Sequence, residues 1–263
     1  IAGRFEEFEN DSSFDPKISF KYVASENMSF RASRSSSFSM PSMAQMFSSD
    51  INLGSVRDFN GDSPFVRQAQ IGNPNLKPAT SKNLNIGLIF ENQKQRLSID
   101  YWNINYKNRI EAQSAQVILN TNPNGSSITR NSSGDLIGVT TTYFNEESTE
   151  VSGVDLNFNR LISTSDKYGN VSLSINSTTL IEFLTPALSN EGGEFMIDRV
   201  GKFNYDTNTH SLPKNRINAF LNWNYQDYNI NFNSRYIDGY SNERPINSLG
   251  TSYGYNNSVN SFF

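Results

Sequence analysis

The sequence predicts an all-β chain: a transmembrane antiparallel β-barrel, present as about nine strands of a larger closed sheet. Three observations lead there. Apolar residues recur with period 2, the alternating runs are longer than ordinary strands, and short connections alternate with long ones.

The clearest alternation sets Ile217, Ala219, Leu221, Trp223 and Tyr225 against Asn218, Phe220, Asn222 and Asn224. After the break Gln226-Asp227 it resumes, with Tyr228, Ile230, Phe232 and Tyr236 opposite Asn229, Asn231, Asn233 and Arg235. This pattern predicts a long-armed hairpin. Three more precede it. Ile18, Phe20 and Tyr22 pass through a turn at Ser25-Glu26-Asn27 to Met28, Phe30 and Ala32, with Arg31, Ser33 and Ser35 opposite. Leu84, Ile86, Leu88 and Phe90 lead through Asn92 to Gln95 into Leu97, Ile99 and Tyr101. There the phase slips, because Trp102, Ile104 and Tyr106 carry the apolar character from the other parity; the slip predicts either a bulge or a strand covered on both faces. Val154, Leu156 and Phe158 oppose Val171, Leu173 and Ile175 across a turn at Lys167 to Asn170. A lone first strand runs near Arg4 to Phe8.

The links between hairpins run from about Phe38 to Thr80, Glu111 to Thr149 and Leu184 to Leu212, far beyond ordinary loops. In an antiparallel barrel successive turns fall on opposite rims, so all short turns share one rim and all long loops the other. Outer-membrane barrels have this asymmetry, with short periplasmic turns and long external loops. Strands of roughly 9 to 13 residues match the ~9 to 11 that cross a bilayer at a tilt. Phe90, Tyr106, Tyr225, Tyr228 and Tyr236, near strand ends, are candidates for interfacial aromatic girdles.

Composition agrees. Hydrophobic residues make up only 36% and mean hydropathy is −0.55, low for a packed soluble core, while 19 Phe and 12 Tyr exclude a solvated tail. The net charge of −4 leaves no basic footprint for nucleic acid. Zero Cys excludes disulfides, thiolate metal sites and cysteine catalysis. The chain opens at Ile1 in a strand-like run, without initiator Met or signal peptide, and is expected to be a stretch of a longer protein.

Several strings resemble the second half of a TonB-dependent receptor barrel, in that family's order. FDPKISFKYVASENMSFRASRSSSFSMPSM, Phe14 to Met43, resembles its hairpin of a Pro-Lys strand, a short turn and a strand closing in a Pro-Ser loop. NPNLKPATSKNLNIGLIFE, Asn73 to Glu91, resembles its entry to a strand, with Ala79 where Glu is usual, and IDYWNINYKNRIE resembles the return strand. VSGVDLNFN, Val151 to Asn159, resembles a further strand, with Asp155 for Glu, and LPKNRINAFLNWNYQDYNINFNSRYIDGY, Leu212 to Tyr240, resembles the late hairpin.

The resemblance implies that residues 1–263 are part of the barrel domain, without the plug, the TonB box, the earlier strands or the final ones. It also implies a bacterial outer-membrane transporter, surrounded by outer-membrane lipid, for TonB-energised uptake of a scarce extracellular small-molecule or oligomeric solute such as an iron-siderophore, cobalamin or oligosaccharide. The partner TonB complex would act through the missing N-terminal region. No enzyme activity, cofactor, metal site or nucleic-acid partner is expected.

Catalytic chemistry finds no footing, since the single His210 sits in THSLP without a paired base or metal-ligand spacing. Asp58, Asn60 and Asp62 in RDFNGDS alternate oxygens like the start of a calcium loop, but the twelfth position is Ala69 rather than a bidentate Glu, which favours a plain Asn-Gly turn. Ligand-binding residues in the resembled family lie on plug apices and long loops. The loop from Phe38 to Thr80 is therefore the candidate, with Met43, Met46, Phe47 and Phe59 as contacts. A passive porin and a soluble β-sandwich adhesin are the rival readings; the lopsided loops and long strands disfavour both.

Overall fold

The computed structural model describes residues 1–8, 11–188, 194–203, 211–241 and 261–262. The barrel wall is built by β1 (Ala2–Phe8), β2 (Asp11–Ser25), β3 (Met28–Ser39), β6 (Ala79–Glu91), β7 (Gln95–Ala112), β9 (Leu136–Ser165), β10 (Gly169–Leu188), β12 (Asn215–Tyr225), β13 (Tyr228–Ile237) and the two-residue β14 (Ser261–Phe262). They pair antiparallel in chain order, and among the described residues β1 and β14 do not pair with each other. The wall is thus a partial barrel. Nine full strands match the expected number, and the four hairpins close at the expected turns, including Tyr225↔Tyr228 around Gln226-Asp227. The first strand, however, is not lone: β1 pairs with β2 as far as Phe8↔Asp11, so one short link lies on the rim of the long loops.

The loop-side elements are α1 (Met43–Phe47), β4 (Ser49–Ser55), β5 (Phe65–Ile71), α2 (Ala115–Thr121), β8 (Ile128–Arg130) and β11 (Glu194–Asp198). The described parts of the long connections are therefore folded, not irregular. The loop holding His210 lies outside the described residues.

Register explains the alternation. Phe20↔Ala32, Ala32↔Ile86 and Ile86↔Tyr101 put the apolar set on one face of the wall. Phe20 is 63% and Phe232 62% exposed, as suits side chains whose solvent is lipid. The other face carries Ser, Asn, Arg and Asp. Four of its amides form a hydrogen-bonded ladder, Asn222 to Asn231 at 2.5 Å and Asn231 to Asn229 at 2.6 Å, closed through Asn224. An aqueous lumen suits such a face.

One expectation is resolved between its two alternatives and another is corrected. No bulge marks the phase slip in β7: pairing with β6 runs unbroken from Thr80↔Lys107 to Glu91↔Arg96, and Tyr101 to Ile104 are all partly covered. The second alternative holds, because both the outer-face Tyr101 and the inner-face Trp102 and Ile104 are partly covered. Register shifts fall elsewhere, at Val23/Ser25 and at Val171/Ser172 and Leu180/Glu182. Tyr106 also leaves the girdle, since it pairs with Ser81 and Thr149 on the inner face. Phe90, Tyr225, Tyr228 and Tyr236 lie on the outer face.

Apart from the loop-sheet end of β9, buried apolar residues are absent from the described wall, and they concentrate in the loops. Val56, Val66, Ala115, Leu119, Leu136 and Val139 form one cluster, with Ile118 and Ile128 against it. A lipid-facing sheet needs no interior of its own, whereas loops in water need a core to stay folded. β9 joins the regions. Its 30 residues, about 100 Å if straight, begin in the loop sheet and end in the wall.

Candidate functional site

The site is the folded assembly above the wall. β5 pairs antiparallel with β4 on one side and parallel with the start of β9 on the other, Arg67↔Gly138 to Ile71↔Thr142. Strand alternation puts Asn52, Gln68, Gln70 and Thr141 on one face, towards α2, and Ile51, Leu53 and Ile71 on the other. α2 starts at the cap Ser114 and buries Ala115 and Leu119, one turn apart, against Val139 and Leu136.

Between the sheet and α2 lies a cleft of about 290 Å³. Its lining includes Asn52, Gln68, Gln70, Gln113, Gln116 and Thr141, over a floor of Val56 and Ala115, and it contains no ionisable side chain. Gln116 is a scaffold: its Oε1 accepts from Arg57 N at 2.7 Å and its Nε2 donates to Arg57 O at 2.9 Å. Gln113 Oε1 accepts from Thr142 N at 3.1 Å.

Three polar ties hold the assembly. Arg130 donates to both carboxylate oxygens of buried Asp58, at 2.7 and 2.8 Å, and stacks over the Phe59 ring at 4.9 Å. The Arg130 guanidinium, helped by the Phe59 N–H, holds the Asp58 carboxyl below the usual carboxylate range against the opposing effect of burial. Asn73 donates to the Tyr143 carbonyl at 2.9 Å, and Asn145 bonds Lys77 in both directions at 2.8 Å, so the NPNLKP string stitches one long loop to the next. Arg109 pairs with Glu111 and Glu146 at 2.6 Å each, and buried Thr149 donates to Glu146 at 2.6 Å. Burial raises Glu111 above its ordinary pKa, with the neighbouring Glu146 adding to it and Arg109 opposing.

The predicted contacts divide. Met43, Met46 and Phe47 share α1, which starts at a capping box in which Ser42 and Gln45 bond each other's backbone N–H. Met43 and Phe47 are exposed, while Met46 is half-buried and its backbone abuts Gly72. Phe59 sits apart from them, over Arg130. Asp58, Asn60 and Asp62 do not converge on one point: both Asp58 oxygens are taken by Arg130, and Asn60 and Asp62 bond each other. Sequence reasoning missed the cleft glutamines. Only the alternation of Gln68 and Gln70 in FVRQAQI hinted at a strand face.

A family model described as TonB dependent receptor-like, β-barrel, matches residues 1–262. No curated protein matches the chain in sequence. Among solved structures, a mutant of the ferric enterobactin receptor from Pseudomonas aeruginosa aligns with a TM-score of 0.53 at 16% identity, over 86% of this chain and 28% of that one. A siderophore receptor from Acinetobacter baumannii aligns at 0.54 and 16%, over 96% and 33%. A copper transporter aligns at 0.53 and 12%, over 86% and 26%. The chain spans about a quarter to a third of the length of these structures.

Proposed function

The chain belongs to the TonB-dependent receptor β-barrel family, and from that premise we propose that it supplies wall, lumen lining and external vestibule to a bacterial outer-membrane importer. The complete receptor captures an extracellular solute on its loops and releases it inward when the TonB complex pulls on the plug. No bond is made or broken. The observation that carries this reading is the family match over residues 1–262, and the wall, apolar on one face and amide-rich on the other, supports it. Exposed Met43 and Phe47 with half-buried Met46 on α1, and exposed Phe59 beside Arg130, offer soft apolar contacts at the mouth.

The aligned structures are named for ferric enterobactin, siderophores and copper, but at 12–16% identity they inform the fold rather than the cargo. Iron chelates, cobalamin and oligosaccharides are therefore screened together. The test is uptake by the full-length parent in outer-membrane vesicles, with and without an energised TonB system. TonB-dependent accumulation of one class is expected. A steady open conductance without TonB, and no energised uptake, would make the protein a porin instead.

A further inference from the structure

The cleft between the loop sheet and α2 carries chemistry that fits one cargo class better than the others. Its lining is amide and hydroxyl throughout, over the apolar floor of Val56 and Ala115. A site for an anionic chelate would place Arg or Lys where their charge-assisted bonds reach the ligand, and a cation site would supply carboxylates. Neither is present in the lining. Amides donate and accept side by side, as vicinal hydroxyls do, and a sugar ring adds C–H faces for an apolar floor.

Two observations distinguish ligand groups from scaffold. The Gln113 and Gln116 amides are already bonded to Thr142 and Arg57. Gln70 Nε2, in contrast, is buried with no hydrogen-bond partner among the described residues. A buried donor without an acceptor costs stability, so a turn of the Gln70 amide that brings this covered donor to a ligand oxygen in the cleft gains more than a new surface contact would. Gln70 pairs across the sheet with Thr141, and Gln68 with Asn52, so these polar groups lie on one strand face. The volume, near the low end of the roughly 300–1,000 Å³ typical of small-molecule sites, suits one unit of a longer chain.

We infer that this cleft is a subsite for a neutral saccharide unit, recognised by Asn52, Gln68 and Gln70 and seated on Val56 and Ala115. The inference rests on the importer reading and narrows its cargo to neutral glycans.

The test is equilibrium binding to the purified full-length receptor, using neutral α- and β-linked hexasaccharides as probes, with a ferric siderophore and a neutral hexapeptide as competitors. One hexasaccharide is expected to bind with little salt dependence, because no ion pair forms. Gln70→Met and Gln68→Met keep side-chain volume and should each weaken binding about 3- to 10-fold, the worth of one hydrogen bond, with the melting midpoint unchanged in Gln68→Met and raised in Gln70→Met, which removes the unpaired buried donor. Absence of saccharide binding, wild-type affinity in both variants, or displacement by the siderophore or peptide in preference to saccharide would overturn the subsite. Failure of the two readings is separable. Energised uptake of another cargo with no saccharide binding leaves the importer and removes the subsite; saccharide binding lost in both variants without energised uptake does the reverse.

Discussion

Arg31 on β3 reaches across β6 to clasp Asp100 on β7, with Nε to Oδ1 at 2.7 Å and Nη2 to Oδ2 at 2.5 Å. Gly87 makes the reach possible. It is the β6 residue in register with both partners, and a Cβ there would stand 2.0 Å from Asp100 Oδ1 and 2.9 Å from Arg31 Nε. Three strands of the wall are thereby joined on the lumen face by one ion pair. Gly87→Ala should destabilise the full-length barrel by about 2–4 kcal/mol, from overpacking and from loss of the pair. Asp100→Asn should cost less, about 2 kcal/mol, because Arg31 remains half-exposed to water. Thermal unfolding in detergent gives both values. The double variant should fall well short of the sum, since both changes remove the same pair; full additivity would mean that Gly87 has no part in it.

Gly153 plays the matching role one hairpin on, where its added Cβ would lie 2.5 Å from Trp102 Cζ2 and 2.8 Å from the Thr179 carbonyl oxygen. The carbonyl belongs to the paired backbone and has little freedom to move. Gly153→Ala should therefore cost about 1–3 kcal/mol in the same unfolding measurement, accompanied by a change in tryptophan fluorescence. Unchanged stability and fluorescence would show that the indole has a second seat.

The Asp58–Arg130 tie predicts an acid limit for the loop assembly. Asp58 has a folded pKa below its ordinary 3.8, so its stabilisation is fully present above that value and disappears as pH falls through the depressed one. Limited proteolysis of the intact receptor in membranes should show the loops protected at neutral pH and cut as pH drops below about 4, using an acid-active protease. Asp58→Asn should remove that pH step and leave Arg130 with weaker partners at every pH. A step that survives the substitution would assign it to other carboxylates.

Glu111 has the opposite sign. Its folded pKa is raised by burial and by Glu146, so the stability it contributes is present below its ordinary value of 4.5 and lost as pH rises through the raised one. Glu111→Gln is accordingly expected to leave the loop as stable at neutral pH or to strengthen it by up to about 1 kcal/mol, although the Arg109 pair at 2.6 Å is lost. Weaker protection from proteolysis in this variant would mean that the ion pair outweighs desolvation.

The two faces of the wall are open to a labelling test, because the chain has no cysteine of its own. In a parent freed of other cysteines, Leu88→Cys should react with membrane-soluble maleimides and resist charged ones. Asn85→Cys, on the opposite face of the same strand, should react with both kinds of reagent. A reversed pattern would turn the wall inside out.

Local chemistry made much of this protein legible without coordinates. The backbone alternates faces every residue, so Ile217 to Tyr225 and Ile18 to Tyr22 declare their faces by composition alone, and turns such as Gln226-Asp227 follow from where the alternation stops. The family-like strings located the same hairpins. Tertiary structure decided the rest. That β5 joins β9 in parallel, that Arg130 finds Asp58 across 72 residues, and that Gln70 Nε2 has no hydrogen-bond partner among the described residues depend on which distant segments share a core. Period-2 pattern carries no information about that choice, because a strand's outward residues do not specify its neighbour. Tyr106 shows the same limit within the wall: its place near a strand end predicts an interfacial aromatic, and only pairing with Ser81 and Thr149 assigns it to the lumen face.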